Sequence, residues 1–174
     1  MSTKTATAIT LTAAFLLAAP NAHVRAENLA LGAGYTLHPS PSYRLCTDPG
    51  DKTQLTDGKS TTDYFWTQPG TVGWQSVQYA AVTVDLKEVK PIGGVSFTTA
   101  AGTANVRWPA AIHVLTSDDG KSWREAGELV RLDQRANGPW PEGYAIRKLV
   151  TRELATRARF VKFVIIPLPG SPYT

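Results

Sequence analysis

Ala111-Ile112-His113-Val114-Leu115-Thr116-Ser117-Asp118-Asp119-Gly120-Lys121-Ser122-Trp123 decides the fold class. Ile112, Val114 and Thr116 alternate with His113, Leu115 and Ser117, the period-2 pattern of a strand with one buried face. Asp119-Gly120 then offers the positive-φ geometry of a two-residue hairpin turn. Trp123 restarts the chain with a large apolar ring that suits the end of a core.

The same pattern recurs on both sides. Val82, Val84 and Leu86 alternate with Thr83 and Asp85. Ile92 to Thr99 reads as another strand, its glycines at 93 and 94 suggesting a bulge or a close backbone approach. Ala145 to Arg152 and Arg159 to Ile166 read as two more, the second so continuously apolar that it suits burial on both faces. Asn28 to Tyr35 is a first strand or a segment hugging the domain, and Tyr64 to Thr67 is aromatic enough for a core strand. His38 to Lys52 and Arg131 to Gly143 read as polar, proline-bearing loops. No segment sustains a 3.6-residue apolar period with caps. Short strands between Gly, Pro and Asp turns predict an all-β chain, an antiparallel sandwich or barrel.

Residues 1–26 read as a secretory signal, with Lys4 before an apolar stretch from Ala8 to Ala19 and Val24-Arg25-Ala26 as the cleavage site. The stretch is short for a bilayer span, so the expectation is a secreted or periplasmic protein with no membrane insertion after cleavage. Residues 27–174 would then form a single domain. The formal charge falls from +4 to +2 on cleavage, because Lys4 and Arg25 leave and no acid does. Arg147, Lys148, Arg152, Arg157 and Arg159 form only a loose basic cluster; it reads as a solvated strand face, and no nucleic-acid partner is expected. Cys46 is the single cysteine, which excludes an intrachain disulfide and suits a buried small hydrophobe.

In chain order, Asn28-Leu29-Ala30-Leu31-Gly32, Leu55-Thr56-Asp57-Gly58, Trp66, Val82-Thr83-Val84-Asp85-Leu86, Val89-Lys90-Pro91-Ile92, the Ser117–Trp123 turn and Ala158-Arg159-Phe160-Val161-Lys162-Phe163 form a pattern. It resembles the coagulation-factor type C (discoidin) family of galactose-binding-like β-sandwiches across nearly all of residues 28–166. The resemblance implies a jelly-roll-like topology and a non-catalytic carbohydrate-binding activity, alone or within a larger surface assembly. It also implies a closing strand with an acidic residue, where this chain has Pro167-Leu168-Pro169-Gly170-Ser171-Pro172-Tyr173-Thr174. Either the last strand is missing or this segment is the loop leading to it, since proline cannot donate into a ladder.

The family often carries a structural calcium near the Asp-Gly motif. Asp57, Ser60, Thr61, Thr62 and Asp63 offer hard oxygens there, with Asp57 and Thr62 the leading candidates. The same groups also suit Asx- and Ser/Thr-turns. Sugar recognition needs an aromatic face and planar polar groups. Trp74, Tyr79, Trp108, Trp140 and Tyr144 supply rings outside the expected core strands, and Arg107 stands beside Trp108. Trp66 and Trp123 read as core. Each loop ring suits packing as well as ligand contact.

Catalysis has little support: His38 and His113 are the only histidines past the signal, and no His-Glu-x-x-His or Gly-x-Ser-x-Gly motif is present. Paired carboxylates for glycoside hydrolysis meet only in space, so sequence leaves a hydrolase open. A second binding reading is an adhesion or protein-interaction module using the same loops.

Overall fold

The computed structural model describes residues 27–62 and 64–172; the signal expected over residues 1–26 lies outside them. The strands are β1 (Gly34–His38), β2 (Ala80–Ile92), β3 (Val95–Ala101), β4 (Ala111–Ser117), β5 (Arg124–Glu128), β6 (Ala145–Thr151) and β7 (Thr156–Ile166). One helix, α1 (Leu129–Asn137), follows β5 directly. The five-stranded sheet runs β1-β2-β7-β4-β5 and the small sheet pairs β3 with β6. All pairings are antiparallel.

Alternation dictates the packing. Val82 lies opposite Phe163, which lies opposite Val114, so the apolar positions of three neighbouring strands share one face. Val82, Val84, Ile112, Val114, Val161 and Ile165 are all buried there. The small sheet closes the sandwich from its own inward positions: Leu149 is fully buried and Phe97 meets the Phe163 ring at 5.5 Å. Cys46 is buried as well.

β7 buries one face rather than two. Val161, Phe163 and Ile165 are inside, whereas Phe160, Lys162 and Val164 are half-buried on the outer face. Trp123 belongs to that outer face and not to the core. It is half-buried, edge-on to Phe160 at 6.5 Å, with the Lys162 ammonium 3.7 Å from its ring centroid. The glycine pair before β3 does mark a close approach. A Cβ on Gly94 would collide with the Thr151 carbonyl, while Gly93 faces open space.

Three local expectations are corrected. The link between β4 and β5 is a loop over residues 118–123, longer than a two-residue turn. The Asp119 carboxylate builds it, accepting from the Ser117 hydroxyl (2.9 Å) and the amides of Lys121 and Ser122 (both 2.8 Å); Gly120 supplies the one positive φ, at 73°. Phe65–Thr67 is a single 3-10 turn and not a strand. Much of the expected 131–143 loop is α1, whose inward face carries Leu129, Val130 and a fully buried Asp133. Glu128 caps it by accepting from the Val130 and Arg131 amides, and Gly138 (φ 80°) ends it. The basic cluster also divides. Arg147 and Arg159 are paired with Asp133 and Asp85, while Lys148, Arg152 and Arg157 are exposed.

Candidate functional site

The antiparallel register places His38, Ala80, Ala101, Ala111, Ala145 and Ile166 at one end of the sandwich. The loops 39–79, 102–110 and 138–144 and the segment after Ile166 therefore gather there. Most tryptophans of the chain sit in those loops.

The 102–110 loop is a small hairpin of its own. Thr103 bridges Val106, and Ala104 and Asn105 both take positive φ (52° and 60°), the geometry of a type I′ turn. Gly102, at φ 101°, lies so close to the Gly143 carbonyl that a Cβ would overlap it. The hairpin is thereby set against the loop that follows α1. Pro109 is buried and the Ala110 amide donates to the Ile166 carbonyl at 2.9 Å, which anchors the hairpin base to β7.

These constraints bring Trp108 and Trp140 together as a parallel stack, with ring centroids 4.6 Å apart and an interplanar angle of 3°. Trp140 is held from behind. Arg147, on the inward side of β6 with Leu149, donates to the Gly138 carbonyl at 2.9 Å and the Pro139 carbonyl at 2.7 Å. Those are the two residues before Trp140. The same guanidinium bonds the buried Asp133 carboxylate through Nε at 2.8 Å and Nη2 at 2.6 Å, and its carbon lies 5.3 Å from the Trp140 ring centroid. Asp133 also accepts from the Val150 amide at 3.0 Å and Asn137 at 2.8 Å, so its charge is fully engaged.

A groove of about 460 Å³ runs along this assembly, lined by Trp108, Trp140, Arg107, Val130, Gln134 and Leu168 among others. That volume lies within the usual range for small-molecule sites. Arg107 is exposed at its edge. Among the described residues it makes no hydrogen bond or ion pair. A larger depression of about 550 Å³ sits at the opposite end near Pro91, Arg124 and Arg157. It has no aromatic wall, and Arg124 is committed there to Asp118 and the Arg157 carbonyl. The aromatic groove is the better-equipped site.

Of the ligand-binding residues expected from sequence, Arg107, Trp108 and Trp140 converge. Trp74 does not join them: it is 4% exposed and its indole nitrogen donates to the Pro39 carbonyl at 2.8 Å. It is a core residue with a satisfied polar edge. Tyr144 belongs to a separate aromatic cluster, 5.2 Å from Tyr64 and 5.6 Å from Trp66, with its hydroxyl accepting from the Phe65 amide at 3.0 Å. Its role there is to tie the 3-10 turn to the mouth of β6. Asp133, Gln134 and Arg147 escape sequence reading because they lie in or against a nine-residue helix whose large apolar residues are confined to its first turn.

Asp57 accepts the Lys59 amide at 2.8 Å, an Asx-turn, and Thr62 is exposed. No group of three or more His, Cys, Asp or Glu that could hold a metal occurs among the described residues. Asp63 lies outside them. His113 is engaged in the sheet, its Nδ1 2.9 Å from Glu125. No helix among the described residues is long and apolar enough to cross a membrane.

Comparison with known proteins gives a consistent picture. A family model described as F5/8 type C domain matches residues 40–171. No curated protein matches the sequence. Among solved structures, the lectin domain of lectinolysin complexed with Lewis B antigen is similar at 18% identity and a TM-score of 0.55, over 87% of this chain and 92% of that one. CpGH89CBM32-5 from Clostridium perfringens, in complex with GalNAc-β-1,3-galactose, is similar at 18% identity and 0.52, over 82% and 89%. Chitosan-binding module 1 of a chitosanase/glucanase from Paenibacillus sp. IK-5 follows at 18% and 0.51, over 85% and 92%. At such identities these likenesses establish the fold.

Proposed function

We propose, from the premise that this chain belongs to the F5/8 type C domain family, that its loop end binds carbohydrate and does not turn it over. The observation that carries this reading is the Trp108–Trp140 stack beside Arg107 in one groove. A sugar presents an apolar face to an indole and hydroxyls to planar polar groups, and the groove supplies both, with Gln134 as a second polar partner. The Pro39-anchored core and the Arg147 clamp hold the loops in place before any ligand arrives, which lowers the ordering cost of binding. The complexes named for structurally similar domains, with Lewis B antigen and with GalNAc-β-1,3-galactose, agree with this class of ligand. In this reading the chain acts outside the cell, attaching itself or a larger assembly to polysaccharide.

Retention of the purified protein on immobilised polysaccharides, or on a glycan array, tests the proposal. We expect retention on at least one glycan and its loss in Trp108→Ala and in Trp140→Ala. A folded protein that no glycan retains would overturn the reading. Retention on a protein partner that is indifferent to both substitutions would favour an adhesion module instead.

A further inference from the structure

We propose that the glycan this groove takes is an acidic one, bearing a carboxylate or a sulfate ester on its sugar; the proposal rests on the carbohydrate reading above. The charges around the groove lead to it. Arg107 is the one charged side chain in the lining, and no Asp, Glu or Lys lines it with the described residues. Two other arginines, on β6 and α1, are already matched. Arg147 is held by Asp133 at 2.6 Å and Arg135 by Glu153 at 2.6 Å. Arg107, the arginine that lines the groove, has neither an ion pair nor a hydrogen bond among the described residues.

An unpaired guanidinium beside two indoles and a buried proline carries its charge next to an apolar wall. Interactions with a ligand anion are stronger there than in open water. A neutral sugar would offer it only hydroxyl acceptors. A carboxylate or sulfate can accept two parallel N–H bonds from the planar fork, a charge-assisted contact about twice as strong as a neutral one. The complementary argument concerns cationic sugars. An amino sugar would bring an ammonium to a groove that holds a cation and no acid to pair with it.

Calorimetry on the intact protein with four oligosaccharides of equal length tests this: a neutral galacto-oligosaccharide, a galacturonate oligomer, a sulfated galacto-oligosaccharide and a chitosan oligomer. We expect one or both acidic ligands to bind at least about tenfold more tightly than the neutral one, equivalent to about 1.4 kcal/mol. The advantage should shrink as salt rises. Whichever acidic arm shows it identifies the anion. In Arg107→Gln the preference should vanish, and Arg107→Lys should recover part of it. Equal affinity for neutral and acidic ligands, tighter binding of the chitosan oligomer, or a preference that survives in Arg107→Gln would each overturn the proposal. In the first case Trp108→Ala should still abolish binding, so the carbohydrate reading would stand while this one fell. If none of the four is bound and no other glycan is retained, both fall together.

Discussion

At the scale of single residues, the carboxylates define how this protein responds to acid. Asp119 is held down to about 2 by the Ser122 and Lys121 amides and the Ser117 hydroxyl that its oxygens accept. Asp85 lies below the usual carboxylate range because Arg159 bonds it twice, at 2.9 Å through Nε and 2.9 Å through Nη2. Both groups bind a proton more readily unfolded than folded. Their stabilisation is therefore complete above the ordinary aspartate range near pH 4 and fades as pH falls toward about 2. Thermal melts between about pH 2 and 6 should show the melting temperature falling toward the acid end. Asp119→Asn should lower it at neutral pH and flatten the acid limb; a profile identical to the parent would show that the loop does not depend on this charge. The ring geometry at Trp74 illustrates what a residue cannot announce in advance. Its burial depends on a carbonyl 35 positions away, and neither composition nor spacing points to that partner.

At the scale of elements, the buried Asp133–Arg147 pair joins α1, β6 and the loop of Trp140. Asp133→Ala leaves a guanidinium facing a dry interior and should cost about 3–5 kcal/mol in denaturant unfolding. Arg147→Met should also weaken the exciton signal of the stacked indoles in circular dichroism, because the carbonyls before Trp140 lose their donor. An unchanged signal would mean that the stack is positioned by Trp108 alone. This helix also shows where sequence reading fails. Its large apolar side chains, Leu129, Val130 and Leu132, are confined to the first turn, the next inward position is an aspartate and the N-cap is Glu128, so the period is not sustained and the usual Ser, Thr, Asp or Asn cap is missing. The strands were legible because Val82–Leu86 and Ile112–Thr116 bury one face cleanly. Arg107, Trp108 and Trp140 were legible from chemistry and neighbouring prolines, but their meeting in one groove depends on the Gly102–Gly143 approach, which only the fold reveals.

At the scale of the whole molecule, stability rests on the sandwich core without a disulfide. Melting temperatures in millimolar calcium and in chelator test the hard oxygens offered by Asp57 and Thr62: a rise with calcium places that loop in a coordination shell, and equal values leave Asp57 to its Asx-turn. Sheet order has a further consequence, for the timing of synthesis. β7 stands between β2 and β4, yet it is the last of the described strands to be made. Until residue 166 is free, the large sheet exists only as two separate pairs, β1 with β2 and β4 with β5, and isolated pairs are marginal in water. A chain with this strand order leaves its large sheet open until β7 pairs with β2 on one side and β4 on the other and joins the two halves.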